Sequence, residues 1–429
     1  MEILVIEGGT KLKGSYTIPA AKNAILPILA ASLMLDGESC IEKCPRLSDV
    51  YASRDIIEAS GSTAVFQDGR FSVFYKDSEV CEVPEKLCRT MRSAILYLAP
   101  LLYRKGKVTL YVPGGCNIGK RPVDIHLDGL EKMGAKVETD GGRITVDATD
   151  GLKGAQIKLR LPSVGATQTL IMAAATAKGI TILKNCAREP EIVDLARFLN
   201  CAGAKITGAG KNEIIIQGVS SLEGVSYTPI PDRIVAATVL SAINSAKGVC
   251  VLRNYPVEYM QEYEKLLKRT GLKVVHFSDN ALVYKSYRIN ADINIHTGYY
   301  PAFSTDMGPL LSAAMVNEKG VINLKETVFE NRFSYKDEFI KLGLCCTVKG
   351  DSYTQHNTND VVKETCLKAK DLRAGAAVVV AAVAKNGKFI VEDIHHIDRG
   401  YENIEEIFAN LGAKIRRVQF DKKTEKTTE

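Results

Sequence analysis

One stretch of this 429-residue sequence, Pro113-Gly-Gly-Cys-Asn-Ile-Gly-Lys-Arg-Pro-Val-Asp-Ile-His126, concentrates more reactive groups than any other. Its three glycines make a loop that can move, and Cys116 stands five positions before Arg121, whose fixed charge lowers the pKa of a nearby thiol. Similar polar clusters occur at Arg188-Glu-Pro-Glu191, Phe329-Glu-Asn-Arg332 and His396-Ile-Asp-Arg-Gly400. A second set opens otherwise apolar segments: Lys22-Asn23, Arg92, Ser163-Val164-Gly165, Asp232-Arg233, Thr305-Asp306 and Asp371-Leu-Arg373. If those segments are helices, their first turns carry unpaired N–H groups and partial positive charge, and converging starts bearing Lys or Arg make an anion site. The plainer alternative is that Ser, Thr and Asp only cap and the cations face solvent. Asp306 and His396 are candidates for proton transfer. His395-His396 resembles a metal pair, but adjacent side chains are expected to point apart, and no metal is expected.

The elements that must position these residues recur six times. In each unit a buried helix runs into a strand, and an amphipathic helix then ends at a glycine before two strands joined by a polar turn. The glycines are Gly61, Gly134, Gly203, Gly271, Gly343 and Gly412, spaced 68 to 73 residues apart. Glycine suits a helix that turns sharply into a strand, because the C′ position takes positive φ. The preceding helices, such as DRIVAATVLSAINSA and DLRAGAAVVVAAVA, are apolar nearly all round and are expected to be inner helices. The fold class is therefore α/β, with units of about 70 residues that cannot bury a core alone. Three units plus three, hinged at Pro229-Ile-Pro231, make two similar halves; one elongated solenoid is the alternative.

Composition narrows the function. With 46% hydrophobic and 25% charged residues the chain reads as an ordinary globular protein, and its net charge of +6 suits anionic small molecules better than nucleic acid, because basic runs are lacking. Eleven cysteines without paired CxxC spacing indicate reduced thiols and a cytoplasmic location. Residues 1–7 read as a strand rather than a signal peptide, and no membrane span is expected, Ala374–Val383 being a buried helix. The segment 419–429 reads as a polar tail. Walker A, GxSxG, HExxH and EF-hand patterns are all missing.

The sequence closely resembles the UDP-N-acetylglucosamine enolpyruvyl transferases across residues 1–418. The signatures are AKNAILPILAA (21–31), TMRSA (90–94), PGGCNIGKRPVDIH (113–126), PSVGAT (162–167), REPEIVDLA (188–196), TDM (305–307), ETVFENRF (326–333), DLRAGAA (371–377) and HIDRGYENIE (396–405). The resemblance implies a two-domain inside-out α/β barrel with three units per domain, 22–229 in one and 1–21 plus 230–418 in the other. It implies transfer of the enolpyruvyl group of phosphoenolpyruvate to the sugar 3′-hydroxyl, in peptidoglycan synthesis, without cofactor. Matched to the family's motifs, Lys22, Arg121 and Arg399 grip phosphoenolpyruvate with Arg92 as a further anion contact. Asn23, Pro122, Val123, Asp124, Ser163, Val164, Gly165, Asp306 and Val328 hold the nucleotide sugar. Arg92 and Arg121 touch both ligands, and Arg373 and His396 are possible supports. Asp306 would take the hydroxyl proton, and Cys116 would deliver one to the methylene carbon.

The chain departs from the family pattern at Pro19-Ala20, Arg160, Ser304 and Gly308, where Ser-Gly, an acidic residue, Pro and Gln are usual. Two other readings remain open at this level: a non-catalytic nucleotide-sugar-binding relative, and the sister transferase acting on shikimate 3-phosphate.

Overall fold

A computed structural model of the chain describes residues 1–114, 119, 122–287, 289–358, 362 and 364–420. Its architecture is mixed α/β and follows the repeat. All six unit glycines have positive φ, between 72° and 102°, so each amphipathic helix is turned into its strand by the residue type that tolerates that backbone. The helices that open the units are Lys22–Ala31, Arg92–Tyr97 continuing as Leu98–Lys105, Val164–Ala175, Arg233–Ala246, Thr305–Met307 continuing as Gly308–Ala314, and Leu372–Ala384. Every residue of Leu372–Ala384 is buried, as its all-round apolar sequence requires. No helix among the described residues is long and apolar enough to cross a membrane.

The buried apolar residues form two clusters. One draws on residues 20–222, the other on residues 4–18 and 234–415. In the second, the helices Arg233–Ala246, Gly308–Ala314 and Leu372–Ala384 pack pairwise, and sheets lie against them. Inside one of these helices, Ser241 Oγ donates to the Ala237 carbonyl at 2.6 Å and lies 2.7 Å from the Tyr263 hydroxyl.

Two features differ from a simple tally of units. Most sheets contain a fourth strand, supplied in parallel by the segment before a buried helix; in the three-stranded sheet of the second unit only the Glu82–Thr109 bridge occupies that place. The sixth unit was expected to supply both hairpin strands itself. Instead it has only Lys414–Gln419 after Gly412, and the N-terminal strand Glu2–Gly8 lies between that strand and Gly387–Glu392, antiparallel to both. A strand with two neighbours and buried Ile3, Leu4 and Ile6 reads as an apolar run, which explains the Ile-Leu-Val-Ile sequence. Gln419 stands opposite Glu2, and the Phe420 N–H donates to the Met1 carbonyl at 2.7 Å.

The supply of fourth strands shows where the chain crosses between cores. Leu12–Thr17, just before the Lys22 helix, pairs with Gly248–Arg253 of the fourth unit, while Ser226–Tyr227, just before the Arg233 helix, pairs with Glu38–Ile41 of the first. The two crossings are bonded side by side. Ala20 lies opposite Pro231, the Ala21 N–H donates to the Ile230 carbonyl at 2.8 Å, and the Asp232 N–H donates to the Pro19 carbonyl at 2.8 Å. The Pro229–Pro231 segment is thus half of a paired connection, with Pro19–Ala21 as the other half.

Because Glu2–Gly8 completes a sheet that its own neighbours in sequence do not belong to, trimming its core side chain should be felt globally. Ile6→Ala, at a side chain with 0% exposure, is expected to lower unfolding stability by about 3 kcal/mol in chemical denaturation.

Candidate active site

The polar residues at the starts of the buried helices divide between caps and cations. Ser163 accepts from the Ala166 N–H at 3.3 Å, Asp232 from Ile234 and Val235 at 2.7 and 3.0 Å, and Asp371 from Arg373 and Ala374 at 2.9 and 3.0 Å. Ser334 donates to the other oxygen of Asp371 at 2.6 Å. The cations do not face solvent. Lys22, Arg233 and Arg373 are buried, and Arg92 is half-buried.

Each buried cation meets a carboxylate, and several pairs join the two cores. Lys22 Nζ lies 2.8 Å from Asp49 Oδ2, and Arg399 donates to both oxygens of the same carboxylate, from Nε at 2.9 Å and Nη2 at 3.2 Å. Lys22 and Asp49 belong to the first core's helices, and Arg399 follows the short Ile394–His396 helix of the second. Burial lowers the Lys22 pKa; Asp49 opposes the shift, while Arg399 and Arg373 add to it. Burial alone would raise the Asp49 carboxyl, but Lys22 and Arg399 outweigh it and hold that group below the usual carboxylate range. Arg233 similarly grips Glu191 of the first core, at 2.9 and 3.3 Å.

Asp306 carries a third cluster. Its Oδ1 accepts a short bond from Arg332, and Oδ2 accepts from Arg373 Nε at 3.2 Å. Burial would raise its pKa, yet Arg373, Arg332 and Arg233 hold it well below the ordinary range. Arg373 Nη1 is buried and has no hydrogen-bond partner among the described residues, which leaves a donor for an incoming acceptor. The Glu189 carboxyl, one residue before Pro190, is pushed up by burial, and its Oε2 is likewise unpartnered among the described residues. Val328 is tied to this cluster through Glu326, which accepts from the Val328 N–H and from Thr305 Oγ1, both at 2.8 Å.

The remaining expected residues gather at the first core. Val123 precedes the Asp124–Lys132 helix, with Pro122 exposed beside it. One turn into that helix, buried His126 lies 2.9 Å from Thr169 Oγ1, and a Cβ on Gly165 would come within 3.2 Å of its ring. That contact keeps Ser163–Val164–Gly165 against the Asp124 helix. Arg160 is paired with Asp124, at 2.7 Å to Oδ1 and 2.6 Å to Oδ2. A basic residue at this position therefore engages the carboxylate that the resemblance assigned to the nucleotide sugar. Asn23, half-buried, follows Lys22. Arg92 donates to the Pro113 carbonyl at 3.4 Å, at the base of the glycine-rich loop. Cys116 and Arg121 lie outside the described residues. Within that loop Gly119, at φ 140°, sits so close to Glu330 of the second core that a Cβ would meet Oε2 at 2.0 Å.

His395 and His396 do not point apart as expected. Their ring centroids are 4.0 Å apart with planes inclined by 39°. They occupy a 3₁₀ turn, whose successive residues diverge by about a third of a turn rather than by the half-turn of a strand, so both rings reach one side. Burial lowers the His396 pKa, and neighbouring His395 and Arg399 add to it.

Asp49 is the site residue that the sequence reading missed. A signal for it existed in the repeat: the second helix of every unit carries an acid in its first turn, namely Asp49, Asp124, Glu191, Glu258, Asp337 and Glu405. Aligning the units at this turn would have placed Asp49 beside Asp124 and Glu191. Arg233, Glu191 and Arg332 were visible in the polar clusters but had no assigned task.

One pH effect follows from the local geometry. Burial, reinforced by Arg92, lowers His126 from 6.5 to about 3, so between those values the unfolded chain binds a proton that the folded chain refuses, and stability falls as pH falls. His126→Gln is expected to lose less stability than the parent across that window, measured by urea unfolding at pH 7 and pH 4.

The sequence profile of the family EPSP synthase (3-phosphoshikimate 1-carboxyvinyltransferase) matches residues 6–408. UDP-N-acetylglucosamine 1-carboxyvinyltransferase 2 of Caldanaerobacter subterraneus subsp. tengcongensis is 40% identical over 413 residues, covering 96% of this chain and 99% of that protein. The protein of the same name from Carboxydothermus hydrogenoformans is 41% identical over 419 residues, covering 97% and 100%. In fold, the enolpyruvyl transferase NikO from Streptomyces tendae superposes with a TM-score of 0.88 at 24% identity, covering 98% of this chain and 99% of that one. A chain matched by that profile over nearly its whole length, and about 40% identical end to end to those relatives, belongs to the EPSP synthase family and, within it, to the UDP-N-acetylglucosamine 1-carboxyvinyltransferases.

Proposed function

We propose that this enzyme transfers the enolpyruvyl group of phosphoenolpyruvate to the 3′-hydroxyl of UDP-N-acetylglucosamine with release of inorganic phosphate, the first committed step of peptidoglycan synthesis. The observation that carries the reading is the gathering of buried Lys22 and Arg373 and half-buried Arg399, with Asp306 on Arg373, in a chain whose relatives bear that activity in their names. Small-molecule anions, not nucleic acid or membrane, are the partners, and the cytoplasm is the location.

The fold reading is a two-domain inside-out α/β barrel, 22–229 in one domain and 1–21 plus 230–418 in the other, with the reaction in the cleft. Two separate apolar clusters and the paired crossings at Pro19–Ala21 and Ile230–Asp232 support it. Lys22, Arg399 and Arg121, with Arg92 beside them, hold the phosphate and carboxylate of phosphoenolpyruvate, since several cations suit a ligand with two anionic groups. Asn23, Pro122, Val123, Asp124, Ser163, Val164, Gly165, Asp306 and Val328 hold the nucleotide sugar. Arg373 adds a buried donor, and His396 supports Arg399.

Chemically, Cys116 delivers a proton to the methylene carbon, which makes C2 electrophilic. The sugar 3′-oxygen bonds to C2 while Asp306 takes its proton. Return of a proton from the new methyl group to the Cys116 thiolate and cleavage of the bond between C2 and the phosphate oxygen then expel phosphate and leave the enol ether. Asp306 held low by arginines is fully ionised but weakly basic. A substrate anion that draws Arg373 toward itself would raise Asp306's basicity where it is needed. Closure of the domains would exclude water.

Phosphate release is expected with phosphoenolpyruvate plus UDP-N-acetylglucosamine, and none with shikimate 3-phosphate as acceptor; the reverse pattern overturns the reading. Asp306→Asn should cut turnover by at least about 100-fold while circular dichroism is unchanged. Near-normal turnover would remove Asp306 from its role. An epoxide phosphonate of the fosfomycin type should alkylate Cys116, seen as a mass shift of its tryptic peptide.

A further inference from the structure

Among the groups facing the site, Asp49 has no part in the reaction just described, yet it touches two of the cations that do. We propose that Asp49 is a positioning residue for enolpyruvyl transfer, whose carboxylate fixes Lys22 and Arg399 from opposite cores into one anion-binding pair. The inference rests on the reading that Lys22 and Arg399 hold phosphoenolpyruvate.

Geometry carries it. Lys22 Nζ meets Asp49 Oδ2 at 2.8 Å, and Arg399 straddles both oxygens at 2.9 and 3.2 Å, a forked contact that sets the guanidinium plane as well as its position. The side chains are 8%, 6% and 15% exposed for Lys22, Asp49 and Arg399, so water does little to screen them. The backbone beside the carboxylate is anchored to the same part of the second core: the Ser48 N–H donates to the Asp398 carbonyl at 3.1 Å, and the Arg46 N–H donates to Glu402 Oε2 at 2.8 Å. Asp49 thus stands at a seam that is bonded on both sides, in the first turn of Ser48–Ala59, where the helix dipole favours a negative charge.

Electrostatics explains why a carboxylate is needed there. Lys22 and Arg399 without Asp49 would be one buried and one half-buried like charge that repel, with Arg373 acting on Lys22 in the same sense. One carboxylate between them removes most of that repulsion and still leaves excess positive charge for a substrate anion. The groups acting on Lys22 are Asp49, Arg399 and Arg373, and Asp232 accepts from its backbone N–H at 3.1 Å. Asp49 is the side chain among them that hydrogen-bonds the ammonium and opposes loss of its proton.

The test compares Asp49→Asn and Asp49→Glu with Lys22→Ala in phosphate-release kinetics over a range of pH. Asp49→Asn keeps the shape and removes the charge. It is expected to lower kcat/KM for phosphoenolpyruvate about 10- to 100-fold, mainly through KM, while KM for UDP-N-acetylglucosamine changes by less than about twofold. The basic limb of the profile should move to lower pH, because Lys22 then loses its proton more easily. Asp49→Glu, which keeps the charge but shifts it by one methylene, should return the limb to its parental position with an intermediate KM. A merely structural role would move neither the limb nor one KM alone. If Asp49→Asn does not fold, Asp49→Glu decides: a parental KM for phosphoenolpyruvate overturns the proposal. If Lys22→Ala abolishes turnover while Asp49→Asn matches the parent in KM and pH profile, the Asp49 role falls and the site reading stands. If Lys22→Ala leaves turnover intact, the site reading falls first and takes the Asp49 role with it.

Discussion

A helix that is apolar on every side can carry charge only at its ends, and this constraint organises the molecule. The residues between Leu372 and Ala384 are all buried, as are nearly all of those between Arg233 and Ala246, so no charge is tolerated along their length. Asp371 and Arg373 at one start, Asp232 and Arg233 at another, and Lys22 at a third occupy the places where capping groups and charges are accommodated. Repetition of the unit then multiplies such starts. The chemistry is a consequence of where the core cannot accept anything but hydrocarbon.

Charges brought to buried helix ends need partners, because an unpaired buried ion costs several kcal/mol. The chain meets this need with carboxylates from the second helices and from the start of a buried helix. Asp49 answers Lys22 and Arg399, Glu191 answers Arg233, and Asp306 answers Arg332 and Arg373. The first two pairings connect residues of different cores, so the ion pairs of the candidate site also bond the two cores to each other. Each pairing sets the position of its cation, and a positioned cation discriminates anions by geometry as well as charge. Arg373 Nη1, buried and without a partner among the described residues, is the exception that a ligand would satisfy.

Much of this was legible in the residues. The six glycines were readable because a helix turning sharply into a strand leaves one backbone state, and each has positive φ. The buried helices were readable from composition alone. Less legible was Asp49, which sits in an unremarkable Leu-Ser-Asp-Val stretch and becomes noticeable only when the units are aligned at their second helices. Arg160 stood out as a departure from pattern, but its engagement with Asp124 depends on two turns of different units meeting. His395 and His396 were expected to point apart as neighbours in sequence, and the tight turn they occupy brings their rings together.

The order of helix, strand and glycine in each unit, the all-apolar inner helices and the polar residues at their starts were determined by the sequence itself, because each depends on local backbone preference and periodicity. Tertiary structure decided which residues share a partner. The strand Glu2–Gly8 completes the last unit's sheet, where it pairs with Lys414–Gln419 more than 400 positions away along the chain, and the two crossings at Pro19–Ala21 and Ile230–Asp232 bond to one another. Asp49 unites Lys22 with Arg399 for the same reason: ion pairing between cores depends on distance in space, and local preference carries no record of it.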